Sequence, residues 1–189
     1  APGSGDRERR VPFWNALARL GSLSERVKPR YVGGMKWTEL SDEACPVARS
    51  LSVVGDRWTL LILRDAFRGV RRFEKFQTNL GVTRHVLVER LRRLEANGIL
   101  RREPYQERPL RHEYRLTEAG KELGPILVLL GDWGERRLPS ENGVRLAHVF
   151  RDTGEPIEPT LADARSGRLI GPRDMLTRFA SGEDVGGDG

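Results

Sequence analysis

Leucines recur at helical spacing between residues 83 and 97, and this is the clearest hydrophobic pattern in the chain. At about 100° per residue, Leu87, Leu91 and Leu94 cluster on one side, whereas charged and polar residues fill the other. Thr83 stands at a preferred N-cap position. The pattern predicts an amphipathic helix with one buried face and one exposed face.

Three more helices are predicted ahead of it, over residues 42–51, 57–67 and 72–80. The second is apolar nearly all round, which is typical of a helix at the centre of a core. Gly81 follows the third helix, where a glycine readily adopts the left-handed conformation that ends helices. The segment before Thr83 is therefore predicted to be the turn of a helix-turn-helix.

Two short strand patterns follow, at residues 99–105 and 112–116, on either side of a polar tip that contains a proline. Asn97 and Gly98 separate the first strand from the helix. A hairpin directly after a helix-turn-helix is typical of a wing. The expected fold class is therefore mainly α with a small β wing (α+β), a winged helix-turn-helix.

A long helix is predicted from an N-cap at Thr117 to about Leu138. Pro125 removes one hydrogen bond inside it and is expected to kink it. The apolar stripe extends past the small winged domain, which predicts packing against a partner helix, either within the chain or from another subunit. The stripe consists of Leu123, Ile126, Leu127, Leu130 and Trp133. The alternative is that this helix packs on the first helix of its own domain.

Changes in composition divide the chain into four segments. Residues 1–35, rich in Pro, Gly and Arg, are expected to be a leader or a mobile N-terminal arm before a core domain at 36–139. Residues 140–180 predict a small β-rich C-terminal extension, a β appendage with turns between its strands. Its strand patterns lie at residues 146–150, 156–161 and 168–170. Residues 181–189 are Gly- and Asp-rich and are expected to be a disordered tail.

The exposed N-terminal part of the 83–97 helix carries the side chains that reach base edges when such a helix enters the major groove. The predicted contacts are Thr83, Arg84, His85, Val88, Glu89 and Arg92. At the hairpin tip, Arg108 and Arg111 are predicted to contact phosphates or a narrow minor groove. An ordinary surface histidine and solvated loop arginines are the alternatives.

The distribution of charge also favours DNA binding by this part of the chain. The chain of 189 residues has a formal net charge of +6 at pH 7, and residues 71–115 hold twelve basic and six acidic side chains. A local basic field attracts phosphates, although a solvated arginine-rich surface would give the same count. The expected partner is double-stranded DNA.

Several other classes of protein are not expected. No apolar run reaches the roughly 18 residues of a membrane span, and the arginine-rich start lacks the apolar region of a secretory signal. Cys45 is the only cysteine, which excludes an intrachain disulfide and a cysteine-based zinc site within one chain. These features predict a cytoplasmic, nucleoid-associated protein without a cofactor. Metal-ligand spacing, a phosphate-cradling glycine motif and a nucleophile elbow are missing, so an enzyme is not expected.

An ordered series of motifs covers about 90 residues, from Cys45 to Trp133. It comprises Cys45-Pro46-Val47-Ala48, Val54-Gly55-Asp56-Arg57-Trp58-Thr59-Leu60-Leu61-Ile62-Leu63-Arg64, Arg72-Phe73, the stretch from Val82-Thr83 to Leu94-Glu95, Gly98, Tyr114-Arg115-Leu116-Thr117 and Ala119-Gly120. This series resembles the HxlR-type winged helix-turn-helix regulators, relatives of the MarR group. The resemblance implies a dimeric bacterial transcription factor that binds an inverted repeat. It also implies a homodimer with contacts through the first helix and through the helix after the wing. The predicted dimer interface is then the apolar stripe of that second helix, which comprises Leu123, Ile126, Leu127, Leu130 and Trp133. A non-specific architectural DNA-binding protein is the alternative.

In several members of that family, a cysteine at the position of Cys45 senses oxidants or electrophiles. Cys45 directly precedes Pro46 at the start of a predicted helix, where the helix dipole and free amides favour the reactive thiolate. The resemblance therefore implies a switch at Cys45 that responds to oxidation or to a small electrophile. A packing role for Cys45, combined with a non-redox small-molecule inducer, is the alternative.

Overall fold

The computed structural model describes residues 37–43, 45–138, 140, 142, 147–171 and 173–175. The predicted N-terminal arm at 1–35 and the predicted tail at 181–189 lie outside the described residues. Within them the chain is mainly helical with one two-stranded antiparallel sheet, which confirms the predicted fold class. A 3-10 helix, Trp37–Asp42, comes first, followed by the helices α1 (Pro46–Val54), α2 (Arg57–Phe67), α3 (Phe73–Leu80) and α4 (Arg84–Ala96).

The second half of the domain begins with the hairpin β1 (Leu100–Glu107) and β2 (Leu110–Leu116). Two helices follow it, α5 (Glu118–Lys121) and α6 (Gly124–Arg137). The order of elements is that of a winged helix-turn-helix, with α3 and α4 as the helix pair and β1 and β2 as the wing.

The core forms around α2. Ile62 and Leu63 have no exposed surface, and they belong to one apolar cluster with Phe76 of α3. The other buried members of this cluster are Val82, Leu87, Leu91, Leu94 and Leu100. Burying one leucine side chain stabilises a fold by about 1.5–3 kcal/mol, so the leucine row of α4 holds that helix firmly to the core.

Two capping residues define where helices begin. Asp56 Oδ1 accepts hydrogen bonds from the amides of Trp58 at 3.0 Å and Thr59 at 3.2 Å, which caps α2. Thr83 Oγ1 accepts from the amide of Val86 at 3.4 Å and caps α4. Each cap satisfies amide groups that have no partner inside the helix, so both helices start at the predicted residues.

The turn between α3 and α4 depends on Gly81. Its backbone has φ 63° and ψ 24°, the left-handed conformation, and its amide donates to the carbonyl of Gln77 at 3.0 Å. A side chain disfavours this conformation, so glycine ends α3 and lets the chain turn directly into α4. The predicted helix-turn-helix is therefore present.

The hairpin pairs Leu100 with Leu116 at its base and Glu107 with Leu110 at its tip, with an irregularity between Pro104 and Gln106. The segment before α3 joins its edge, because Arg72 forms an isolated bridge with Glu113. The amide of Tyr114 also donates to the carbonyl of Arg71 at 2.8 Å. The wing is thus attached to the helix-turn-helix by backbone hydrogen bonds as well as by the chain.

The prediction of one long helix from Thr117 to Leu138 is wrong. A turn at Glu122 and Leu123 separates α5 from α6, and Pro125 is the second residue of α6. Proline has no amide hydrogen to continue a helix, but it is well tolerated in a first turn, where amides lack helical partners anyway. A new helix therefore starts where a kink was expected.

Gly120, a poor helix former, has a steric reason to be in α5. It is buried, and a Cβ atom there would collide with the carbonyl oxygen of Ile99. Thr117 Oγ1 donates to the carbonyl of Gly98 at 2.5 Å and accepts from the amide of Gly120 at 3.0 Å. The start of α5 is therefore seated directly on the segment between α4 and β1.

The C-terminal extension contains two tight turns instead of the predicted strands. Each turn is closed by a single bridge pair, Val149 with Pro156 and Ala162 with Leu169. Pro156 has no amide to donate, and these side chains are largely exposed, so little favours longer pairing. Leu146 lies outside the described residues. Of the described residues, those up to Thr160 belong to one compact unit and those from Leu161 onward to another.

Candidate nucleic-acid interface

The predicted contact residues of α4 lie on its surface. Thr83, Arg84, His85, Glu89 and Arg92 are exposed, and Val88 is half-buried, while the three leucines on the other side are fully buried. The helix therefore presents a polar, partly cationic face that begins at its first turn. Of these side chains, Thr83 has its hydroxyl oxygen engaged in capping, so mainly its methyl group is available for contacts.

Arg84 is held by an aromatic ring. Its guanidinium carbon lies 4.7 Å from the centroid of the Phe73 ring, at the start of α3. A stacked guanidinium is attracted to the ring face and keeps its hydrogen-bond donors directed outward at its edge. The two helices of the helix-turn-helix thus jointly orient the arginine at the exposed end of α4.

A bidentate ion pair connects α4 to the cap of α2. Arg90 Nε lies 2.9 Å from Asp56 Oδ1, and its Nη2 lies 3.3 Å from Oδ2. Burial by itself would raise the pKa of Asp56, but hydrogen bonds from Arg90 and from the amides of Thr59 and Trp58 outweigh it and hold that pKa below 3.8. The hydrogen bond to Asp56 likewise raises the pKa of Arg90.

Arg93 makes a second connection from α4. Its Nη2 donates a hydrogen bond to the carbonyl oxygen of Ser52, in α1. Neither this contact nor the Arg90–Asp56 pair was predicted from the sequence. The helical spacing places Arg90 and Arg93 beside the leucine row, but it does not indicate which residue far away in the chain they meet.

The wing tip carries the predicted arginines. Arg108 and Arg111 are both exposed, and Gln106 Nε2 donates to the carbonyl of Arg108 at 3.0 Å, which orders the tip. Leu110, between them, is also exposed. The tip therefore offers two solvated cations at the end of the hairpin.

Arg72 links the wing to the helix-turn-helix, a role that the sequence analysis missed. Its guanidinium carbon lies 4.7 Å from the centroid of the Tyr105 ring in β1. Because Arg72 also precedes α3 and pairs with Glu113 of β2, one residue contacts both strands and the helix pair. In the sequence, Arg72 stands out only as the arginine of the Arg72-Phe73 motif, which does not indicate a contact with the wing.

Cys45 is the residue immediately before α1. It is half-buried, carries a free thiol, and its carbonyl accepts the amide of Arg49 at 3.1 Å. Pro46 occupies the first position of this helix, so the predicted helix over 42–51 is wrong at its start, because a 3-10 helix ends at Asp42 and proline is favoured as a first helical residue. The thiol group is therefore next to the amide end of a nine-residue helix.

The predicted dimer residues fall into two groups. Leu123 and Leu127 pack against the core cluster of their own domain. Ile126, Leu130 and Trp133 remain 58%, 48% and 50% exposed. One side of α6 thus completes the domain, and the other presents three large apolar side chains to solvent.

Two further properties concern only the described part of the chain. None of its helices is long and apolar enough to cross a membrane. It also contains no group of three or more His, Cys, Asp or Glu side chains that is arranged to hold a metal ion.

A family profile of HxlR-like helix-turn-helix proteins matches residues 53–142. The HTH-type transcriptional regulator Rv3095 of Mycobacterium tuberculosis is 47% identical over 129 residues, which are 68% of this chain and 82% of that protein. YdeP of Bacillus subtilis, also an HTH-type transcriptional regulator, is 35% identical over 104 residues, or 54% and 81% of the two chains.

A solved structure supports the same relationship. PA1607, a candidate transcription factor, is 38% identical, and the match covers 73% of this chain and 96% of that one with a TM-score of 0.67. Identity at this level, together with the shared helix-turn-helix and wing, relates both sequence and fold. The chain therefore belongs to the HxlR-like helix-turn-helix family of DNA-binding transcriptional regulators.

Proposed function

We propose that the protein regulates transcription as a homodimer that binds an inverted-repeat operator, with α4 in the major groove and the wing on the adjacent backbone. The observation that carries this proposal is the two-sided character of α4. Its leucines are fully buried, and its first turn exposes Arg84 and His85. A helix held in this way is rigid enough to carry side chains to base edges.

The exposed residues of α4 suit base recognition. Arg84 can donate two hydrogen bonds to guanine, the methyl groups of Thr83 and Val88 can meet thymine, and Glu89 can accept from cytosine. His85 and Arg92 complete the predicted surface. Arg108 and Arg111 at the wing tip would add phosphate contacts, which strengthen binding without selecting a sequence.

The dimer in this proposal forms through α6. Ile126, Leu130 and Trp133 expose large apolar area on one helix face, and association would remove that area from water. A two-fold dimer would place its two α4 helices in successive major grooves, about 34 Å apart, and therefore requires a palindromic site. On α1, Val47 and Leu51 are also exposed, consistent with dimer contacts through the first helix.

Cys45 is the proposed switch. With only one cysteine per chain, oxidation would form an intersubunit disulfide, a mixed disulfide with a small thiol, or a sulfenic acid, and an electrophile would form an adduct. The position of the thiol at the start of α1, half-buried beside helix amides, supports this choice. A non-redox inducer is the alternative. The place of action would be the nucleoid in the cytoplasm, and regulation would require no catalytic step.

The deciding experiment measures binding of the full chain to DNA from its own upstream region. Fluorescence anisotropy at fixed salt would compare an inverted-repeat fragment with a scrambled fragment of equal composition. For a sequence-specific regulator, the ratio of the two affinities is expected to reach about 10³ or more. A ratio near one would instead identify a non-specific architectural DNA-binding protein.

A further inference from the structure

A cavity of about 590 Å³ lies at the base of the wing, at the end of the hairpin opposite its tip. It is bounded by the C-terminal end of α2, by the segment that leads to α3, and by the paired ends of β1 and β2. Six of the side chains that line it are cationic. These are Arg68, Arg71, Arg101, Arg115, Lys121 and Arg151.

Half of this charge is already compensated by carboxylates. Arg115 pairs with Glu103 at 2.9 Å and with Glu113 at 2.6 Å, and Arg101 pairs with Glu103 at 2.6 Å. Lys121 pairs with Glu118 at 2.6 Å.

The other three lining cations are not compensated in this way. None of the ion pairs among the described residues includes Arg68, Arg71 or Arg151, and all three are exposed. Like charges that converge on one cavity repel one another, and a bound anion would relieve that repulsion.

The wall of the cavity is partly apolar. Phe67, Tyr114 and Leu116 line it between the cations. Its volume falls within the range of small-molecule sites, roughly 300–1,000 Å³. Guanidinium groups bind phosphate and carboxylate oxygens in pairs of parallel hydrogen bonds. The combination suits an organic molecule with more than one anionic group and an apolar part.

The position of the cavity argues against a DNA contact. In the register of the hairpin, Arg101 lies opposite Arg115, one position from the Leu100–Leu116 pair that begins the hairpin. The tip of the wing, in contrast, is at Glu107 and Leu110. The cations of the cavity therefore lie at the opposite end of the hairpin from Arg108 and Arg111. We propose that this cavity is a binding site for a small organic polyanion that carries phosphate or carboxylate groups.

Such a ligand would touch two elements with different roles. The carbonyl of Arg71 accepts the amide of Tyr114, so the segment that carries the free arginines is bonded to the wing. Phe67 packs against the first residue of α6, since a Cβ atom at Gly124 would lie only 3.0 Å from its ring. The site thus connects the wing with the start of the proposed dimer helix.

The test is isothermal titration calorimetry of the full chain at low ionic strength, with pyrophosphate in one series and citrate in the other. We expect one saturable site per chain, and the tighter of the two anions identifies phosphate or carboxylate as the preferred group. In the double variant Arg68→Ala/Arg71→Ala, the affinity should fall about tenfold or more, because charge-assisted hydrogen bonds are lost. Arg151→Glu, on another part of the wall, should have a similar effect.

The matched control is Arg165→Ala/Arg173→Ala, which removes two exposed arginines outside the cavity and should leave anion affinity unchanged. Operator binding without anion should also be unchanged in the Arg68/Arg71 double variant, which separates this proposal from the DNA-binding one. Absence of saturable binding, or an equal loss in the control, would overturn the site. A loss of operator affinity in the Arg68/Arg71 double variant would show that these arginines contact DNA instead.

Discussion

Arg90 and Asp56, which are 34 positions apart, form a bidentate ion pair in which Nε lies 2.9 Å from Oδ1 and Nη2 lies 3.3 Å from Oδ2. The same carboxylate caps α2 through the amides of Trp58 and Thr59. One side chain therefore determines where the central helix begins and also holds the helix proposed to enter the DNA groove.

Replacing Asp56 tests the cap. Asp56→Ala removes both the cap and the partner of Arg90, and we expect the free energy of unfolding to fall by about 1–2 kcal/mol from the cap alone. Asp56→Asn is the matched control, because asparagine caps helices about as well as aspartate but carries no charge. Urea denaturation followed by circular dichroism measures both. Equal stability of wild type and Asp56→Ala would contradict the assigned role.

The charge on Asp56 predicts a pH dependence. Its pKa is lower in the folded state than the ordinary value of 3.8, so the unfolded chain takes up its proton first as the pH falls. The stabilisation is therefore fully present above 3.8 and is lost as the pH falls through the folded-state pKa. The difference in unfolding free energy between wild type and Asp56→Asn should be constant near neutrality and shrink in acid. A difference that grew in acid would refute this assignment.

Arg84 is predicted to read a base. Arg84→Ala should weaken operator binding by about tenfold or more and relax the preference at one base pair, since a bidentate contact to guanine discriminates by about 1–3 kcal/mol. Anisotropy titrations against operators that are varied one base pair at a time measure both effects. Arg173→Ala, which removes an exposed arginine elsewhere, is the control. Unchanged affinity together with unchanged preference would remove Arg84 from the contact surface.

The exposed face of α6 is predicted to hold the dimer together. Leu130→Glu places a charge on that face and should convert the dimer into a folded monomer with much weaker operator binding, because a buried unpaired charge is costly. Light scattering after size-exclusion chromatography gives the mass. Leu169→Glu, at a leucine that is 62% exposed, is the matched control. A dimer that persisted in Leu130→Glu would place the interface elsewhere.

The thiol of Cys45 is predicted to carry the redox response. Cys45→Ser should bind the operator as wild type does but should not respond to diamide or a quinone, because serine is neither oxidised nor alkylated under these conditions. Gel shifts with and without oxidant test this, and non-reducing electrophoresis detects an intersubunit disulfide. If the serine variant still released DNA on oxidation, the switch would lie elsewhere. A wild type that did not respond would favour a non-redox inducer.

Local signals predicted the helix-turn-helix well. The leucine spacing of α4, the caps at Asp56 and Thr83, and the glycine at 81 each depend on neighbours within a few positions, and the structure confirms them. The turn before α6 was missed because Pro125 is compatible both with a kink inside a helix and with the first turn of a new one. The sequence alone does not decide between these two.

Tertiary pairs could not be predicted in the same way. Arg90 could have met any of several carboxylates, and only the packing of α4 across α2 brings it to Asp56. Arg72 likewise contacts Tyr105 only because the wing folds back on the segment before α3. The cavity at the base of the wing could not be predicted from the sequence either, because its cations come from separate segments of the chain.

Gly120 has a consequence for the geometry of a dimer. Its hydrogen atom leaves room for the carbonyl of Ile99, at the junction between α4 and the wing. A methyl group at this position would push the start of α5 away from the domain, and α6 would move with it. In the proposed dimer, the spacing between the two α4 helices, and thus the length of operator that they fit, depends on a contact that only glycine allows.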